Sequence, residues 1–425
     1  MAFEPIQIAA FLFFVVGYAA ITLEHRLGTS KSAIALLLGG VLWMVVAYQG
    51  GDQVQGAITH AGADIFGIIV FLLAAMSLVE VLAHYKFFDL IREKIFRMRL
   101  GERKQFAVLC TITFFLSAII DNLTTTIVMV QIARKFFRGE NLLLAGASIV
   151  IAANAGGAFS PIGDVTTIML WLAGKFSAGE LIAQAVLPCI VLFGVTLGMM
   201  YFKITPDSYD ATDQVSVKLD RSEKRVIQCV FFAFALPVLM NFLHLPPYVG
   251  LLLGLAIVWI MIDAFKKMRP RTTHLEASIE DLIRKTDISS LKFFIGILLA
   301  VSALHTLGVL ELFSHALYGQ SPSINEIVVG NVLLGILSAL VDNVPLTAIA
   351  IQVLGTHDVG LWVLLAITVG TGGSLLVIGS AAGVVAMGML KELTFEKYFK
   401  IAFVPALVGY VAALSVWWVQ YSFFM

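Results

Sequence analysis

Apolar runs long enough to cross a bilayer follow one another almost from end to end of this 425-residue chain. At that depth no water is available to backbone N–H and C=O groups, so each run must close its own hydrogen bonds, as a helix or in a closed barrel. The runs are continuous and do not alternate, which selects helices. Candidate spans are Ile6–Glu24, Ser32–Tyr48, Ala63–His84, Leu142–Ala173, Leu181–Phe202, Val226–Phe242, Tyr248–Phe265, Leu291–Leu307, Leu361–Leu390 and Ile401–Tyr421. Charged residues are 13% of the chain and hydrophobic ones 59%, against roughly 25% charged in a soluble domain. The chain reads as an all-α polytopic membrane protein, not an anchored soluble domain. Ile6–Leu23 has no basic stretch before it and no small-residue cleavage site after it, so it reads as a retained helix. Cys110, Cys189 and Cys229 lack metal-ligand spacing and read as core filling.

Two more apolar segments, about Phe106–Phe137 and Ile324–Leu354, are too long for one helix and are broken mid-way by the same pattern. Ser117-Ala118-Ile119-Ile120-Asp121-Asn122-Leu123-Thr124-Thr125-Thr126 returns 221 positions later as Ser338-Ala339-Leu340-Val341-Asp342-Asn343-Val344-Pro345-Leu346-Thr347. Gln131 and Gln352 follow in step. An ionised carboxylate inside a membrane costs several kcal/mol unless something compensates it, and this chain carries that cost twice in matching places. Each segment reads as a re-entrant hairpin with its tip near Asp121 or Asp342. The loops at 25–31, 86–104, 203–225, 266–292 and 391–400, with Arg134, Lys135 and Arg138, then share one side. That side holds every Lys and Arg except Lys175 and is the cytoplasm by the positive-inside rule. The N-terminus is expected outside, in keeping with the absence of a basic residue before Arg26.

With this parity the two hairpins enter from opposite faces, so the halves are expected to be inverted repeats, a pointer to a secondary transporter with a midplane site. The same offset pairs His84 with His305. Expected divisions are a first repeat at 1–205, a cytoplasmic linker at 206–225 and a second repeat at 226–425. Scaffold spans are expected at 6–48 and 226–265. Transport parts are expected at 63–203, with hairpin 106–137 and broken helix 142–173, and at 290–421, with hairpin 324–354 and broken helix 361–390. An amphipathic piece, Leu275–Ile283, predicts a surface helix.

The helix after each hairpin is interrupted. Asn154-Ala155-Gly156-Gly157-Ala158-Phe159-Ser160-Pro161-Ile162-Gly163-Asp164-Val165-Thr166-Thr167 has as counterpart Gly370-Thr371-Gly372-Gly373-Ser374-Leu375-Leu376-Val377-Ile378-Gly379-Ser380. Unwound backbone at membrane depth is tolerated only where protein or a wet cavity surrounds it. Its carbonyls, with carboxylates, hydroxyls and amides, suit small hard cations. Close helix packing would also explain the glycines, but neither Asn154 nor Asp164.

A hairpin tip presents the positive end of its returning helix, which a carboxylate offsets, making the tip attractive to a cation. With Asn122, Thr124–Thr126, Asn154, Ser160, Asp164, Thr166 and Thr167 the first half supplies an oxygen cage; Ser338, Asn343, Thr347, Ser374 and Ser380 do so in the second. Low dielectric favours the neutral carboxyl, so protons and cations would compete for Asp121 and Asp342. The alternative for both is a helix N-cap. Asp164 has no acidic twin, its partner position being Ser380, so the halves are unequal. Glu80 reads as a proton-path group or an interfacial polar contact. His84 and His305 read as pH sensors or as solvated helix-end residues.

These hairpin tips, the 154–167 break and the glycine-rich 370–380 partner resemble the NhaD-type sodium/proton antiporters of the ion transporter superfamily, which also holds arsenite permeases and divalent-anion:sodium symporters. The resemblance spans nearly the whole chain; the symporters' Ser-Asn-Thr tips are absent. It implies a homodimer with scaffold and transport parts, elevator-like alternating access and exchange of Na⁺ or Li⁺ for H⁺ in a bacterial-type inner membrane. It also implies ion-handling roles for Asp121, Asn122, Asn154, Asp164, Thr166, Thr167, Ser338, Asp342 and Asn343. An arsenite or oxyanion permease on the same scaffold is the alternative, and a channel or receptor a third. No Gly-x-x-x-x-Gly-Lys-[Ser/Thr] signature occurs, so ion gradients would drive transport. The expected partners are these ions and the bilayer, with no cofactor, no nucleic acid and no enzymatic reaction.

Overall fold

A computed structural model describes residues 4–22, 24–50, 54–205, 218–268, 286–319 and 322–424. All regular structure among them is helical, and seven of the helices are long and apolar enough to cross a membrane. The chain is a multi-pass membrane protein. Full spans lie at Lys31–Gln49, Val54–His84, Ala178–Tyr201, Pro247–Met268, Ile288–Thr306 and Phe395–Phe424. Pro5–Thr22 and Arg221–Phe242 match two more of the expected spans.

Both interrupted segments take the form of helix, break and helix. The first hairpin joins Glu102–Ser117 to Asn122–Phe136, the second Ile324–Leu337 to Asn343–Val353. The first broken helix is Gly139–Ala158 followed by Val165–Leu172. The second is Val359–Gly372, a short 3-10 turn at Val377–Gly379, and Ala381–Met389. The first break is narrower than the sequence suggested. Asn154 remains helical, and only the stretch 159–164 around Pro161 leaves the helix.

The hairpins dock on the broken helices through glycines, and the two halves do this in the same way. A Cβ on Gly156 would stand 2.0 Å from Phe114 O, and one on Gly372 1.9 Å from Gly335 O. Further along, Gly163 and Gly379 are pressed against Ser117 O and Ser338 O, where an added Cβ would stand at 2.5 and 2.0 Å. No side chain fits at these crossings, so backbones meet directly, as small residues permit between membrane helices. Ser117 Oγ then donates to Ala153 O at 2.6 Å and Ser338 Oγ to Val369 O at 2.9 Å, securing each hairpin to its own broken helix.

Around this core, Lys31–Gln49 packs along Ile288–Thr306, and Arg221–Phe242 along Pro247–Met268. Val54–His84 touches both of those pairs, while Ala178–Tyr201 lies against Phe395–Phe424. Contacts tie described parts of the basic loops to neighbouring loops and helix ends. Lys31 Nζ sits 5.3 Å from the Phe293 ring centroid, Arg103 Nε donates to Ile204 O at 2.8 Å and Lys203 Nζ to Ile401 O at 3.3 Å. Arg92, Arg138 and Asp287 line one cavity, which joins the loop before Ile288 to the others.

Two features differ from the sequence reading. The third helix begins at Val54, not Ala63; its extra turns carry Gln55, Thr59 and His60, which are polar enough to hide from a hydropathy pattern yet compatible with helix. The loop 86–104 contains a helix, Phe87–Arg97, matched in the second half by Val309–Tyr318. Each starts after a left-handed residue, Lys86 (φ 57°) and Gly308 (φ 72°), where glycine is the less strained choice. The expected surface helix at Leu275–Ile283 falls outside the described residues.

Candidate functional site

The tips and breaks converge on two polar networks that cross between the halves. In the first, Asn122 Nδ2 donates to Asn154 Oδ1 at 3.1 Å. Asn154 Nδ2 in turn donates to Ser374 Oγ at 2.9 Å and Ser380 Oγ at 3.1 Å. One asparagine therefore ties the first hairpin tip to the second broken helix. Ser380 is also the N-cap of Ala381–Met389, accepting from Gly383 N at 3.1 Å.

In the second network, Asn343 Nδ2 donates to Asp164 Oδ2 at 3.4 Å, and Asn343 Oδ1 lies 3.1 Å from Ser338 Oγ. Asp164 is only 2% exposed and caps Val165–Leu172 by accepting from Thr166 N at 3.4 Å. Thr166 Oγ1 is buried with no hydrogen-bond partner. Thr167 Oγ1 has one, donating to Asp164 O at 2.9 Å. Asp342 is the chain neighbour of Asn343, whose amide reaches Asp164.

The two networks occupy equivalent places, since Asn154 pairs with Gly370 and Asp164 with Ser380 at an offset of 216. On one side an amide and a hydroxyl close on each other at 3.1 Å. On the other, a glycine faces a carboxylate, and a Cβ on Gly370 would stand 3.1 Å from Asp164 Oδ2. The first pairing is self-satisfied. The second leaves a buried carboxyl that accepts from Thr166 N, and Thr166 Oγ1 is itself buried with no hydrogen-bond partner. Among the described residues no three His, Cys, Asp or Glu side chains come together. The donors are therefore a carboxylate with hydroxyls, amides and carbonyls, a set for a small hard cation.

Asp121 and Asp342 are half-buried N-caps of the two returning helices. Asp121 accepts from Thr124 N at 2.8 Å and from Thr124 Oγ1 at 2.6 Å. Asp342 accepts from Val344 N at 3.1 Å. The capping alternative is thus a structural fact for both. Asp342 also has its backbone N–H bound by Tyr18 Oη at 2.8 Å. Ser160 Oγ donates to Ala118 O and Thr347 Oγ1 to Asn343 O at 2.8 Å, so these two hydroxyls hold the backbone of the site.

A cavity of about 940 Å³ opens beside the first tip, lined by Glu80, Thr124, Gln131, Arg92, Lys135 and Arg138 among others. Glu80 and Thr124 of the first hairpin therefore line the same cavity. His84, one turn further along, stacks edge-on with Tyr85 at 5.3 Å and does not line this cavity. His305 is exposed at the end of its helix. The sequence reading missed the contact of Gly370 with Asp164 and the bond from Asp342 N to Tyr18 Oη at 2.8 Å. The 216 offset carried a signal for the first; nothing local carried the second.

Residues 18–370 match a family model described as a citrate transporter, CitMHS. The chain is 37% identical to sodium/proton antiporter 1 of Arabidopsis thaliana, over 97% of this chain and 72% of that protein. It is 33% identical to the Na(+)/H(+) antiporter NhaD of Vibrio cholerae serotype O1, over 97% and 91%. The NhaD protein of Alkalimonas amylolytica is 32% identical over 95% and 88%. Among solved structures, the YdaH transporter of Alcanivorax borkumensis shares the fold with a TM-score of 0.61, at 12% identity over 93% of this chain and 99% of that one.

Proposed function

We propose, for a chain that belongs to the family of NhaD-type sodium/proton antiporters, secondary exchange of cytoplasmic Na⁺ or Li⁺ for external protons at the Asp164–Asn343 network. The observation that carries this reading is the inequality of the two crossings, Asn154 with Ser380 and Gly370 with Asp164. A buried carboxylate without a fixed cationic partner is costly, and either a proton or a small cation relieves that cost. The two cannot do so together, so occupancy by one expels the other. Asp342 stands by as the second carboxylate, and Thr166 Oγ1, Asn343 Oδ1 and the carbonyls of the break supply oxygen ligands.

The cytoplasmic approach runs through the 940 Å³ cavity, past Glu80 to Thr124. Basic loops gathered at that end support a cytoplasmic assignment by the positive-inside rule, with the N-terminus outside and the membrane a bacterial-type inner membrane. In this reading the halves are inverted repeats at 1–205 and 226–425. The hairpins and broken helices move as one unit against a fixed frame, and the protein works as a homodimer. Everted vesicles carrying a pH-sensitive dye test the proposal with Na⁺, Li⁺, K⁺, citrate and arsenite side by side. Dequenching by Na⁺ and Li⁺ alone supports it; a response to citrate or arsenite without any to Na⁺ overturns it.

A further inference from the structure

The two hairpin tips differ at one position whose consequence reaches a distant helix. In the first, the third residue of the returning helix is Thr124, whose N–H and hydroxyl both bind the cap Asp121, at 2.8 and 2.6 Å. In the second, that residue is Pro345. Proline is tolerated in a first helical turn because its missing N–H has no intrahelical use there, but it offers the cap neither of those bonds. Asp342 retains only the bond from Val344 N among the described residues. The first tip is braced from within, and the second is not.

The second tip is braced from outside. Tyr18, in the last full turn of Pro5–Thr22, places its hydroxyl 2.8 Å from Asp342 N and accepts that N–H. The first helix is seated there by further contacts with the second half. Gln7 Nε2 donates to Leu307 O at 2.9 Å, and the helix packs on Ile288–Thr306 and Val309–Tyr318. The residue 221 positions after Tyr18 is Leu239, which has no hydroxyl, so the first tip has no equivalent brace from that position.

The geometry points to Tyr18 as the positioning residue of Asp342: its hydroxyl accepts the Asp342 N–H from another helix and so holds the backbone of a tip whose carboxylate keeps one cap bond where Pro345 stands in place of threonine. By fixing the backbone of Asp342 it fixes where that carboxylate stands relative to Asp164. The inference rests on the exchange reading for its link to Na⁺, but the brace is a structural claim of its own.

Two measurements test it. Hydrogen exchange of purified protein, without Na⁺, reads the amide of Asp342 directly. Tyr18→Phe keeps the ring and removes the acceptor, so that amide should exchange roughly three- to tenfold faster, with the 117–126 segment unchanged. In dye-loaded vesicles the same variant should raise the half-saturating Na⁺ concentration several-fold. Tyr18→Phe/Pro345→Thr, which restores the first tip's capping chemistry, should return it toward the parental value. Loss of ring packing would not be rescued in this way. Unchanged exchange at Asp342, or weakened affinity that Pro345→Thr leaves uncorrected, overturns the inference. A parental chain with no Na⁺ response sinks the antiport reading instead, and the exchange measurement still decides the role of Tyr18.

Discussion

Gly370 faces the Asp164 carboxylate so closely that a Cβ added to it would stand 3.1 Å from Oδ2. The equivalent place in the other half is filled by the Asn154 side chain, bonded to Ser380. Of the two matching crossings, one is closed by an amide and a hydroxyl and the other leaves a carboxyl facing a glycine.

Gly370→Ala should therefore act on affinity more than on folding. The added methyl needs a shift of a few tenths of an ångström by Asp164 or by Ala158, its other neighbour at 3.3 Å. We expect a several-fold rise in the half-saturating Na⁺ concentration, with a thermal midpoint little changed. Parental affinity would remove Gly370 from the site.

Asp164→Asn should abolish exchange while the protein still assembles. Asparagine caps a helix about as well as aspartate, so the Val165–Leu172 segment keeps its start, but the site can no longer alternate between a charge and a proton. Vesicle dequenching and size-exclusion of the detergent-solubilised protein measure the two halves of this statement. Retained Na⁺-driven dequenching would contradict it.

The adjacent threonines should separate. Thr166 Oγ1 is buried without a partner, so Thr166→Val loses no hydrogen bond in the ion-free protein and should weaken Na⁺ while leaving stability level or slightly raised. Thr167 Oγ1 donates to Asp164 O, and Thr167→Val should cost about 1 kcal/mol of stability with the smaller change in affinity. Equal effects of the two substitutions on Na⁺ would argue against Thr166 as a ligand.

The sequence carried the architecture because polar residues inside apolar runs are hard to miss: the Asp-Asn tips, Pro161 and the paired glycines all mark real breaks. It also singled out Asp164, through the mismatch with Ser380, and the structure places that residue in a buried contact with Asn343. It did not carry Phe87–Arg97 or Val309–Tyr318, which are short and half polar and so look like loop. It treated Asp121 and Asp342 alike, and the structure sets them in different surroundings, Asp121 bonded twice by Thr124 and Asp342 bonded at its N–H by Tyr18, a distinction set in part by packing between segments far apart in the chain. The bonds from Asn154 to Ser374 and Ser380 and from Tyr18 to Asp342 are likewise tertiary facts with no local pattern.

Close docking of hairpin on broken helix should be unforgiving. Gly156→Ala and Gly372→Ala each place a methyl about one bond length too near a carbonyl oxygen, at 2.0 and 1.9 Å. Overpacking costs typically about 1–3 kcal/mol, and here neither backbone has a side chain to yield, so both variants should lose several degrees of thermal midpoint or fail to assemble. Gly194→Ala, with nothing within 4 Å of its added Cβ, is the control and should match the parent. Parental stability in Gly372→Ala would show that the second hairpin is not held as described.

The central claim is that sodium and hydrogen ions displace one another at the Asp164–Asn343 network, and proton release on Na⁺ binding measures that displacement without transport. Calorimetric titration of the purified protein with Na⁺, repeated in buffers of different ionisation enthalpy, counts the protons released. The account predicts net release that disappears in Asp164→Asn. Sodium binding with no release in the parent, or identical release in both, would contradict it.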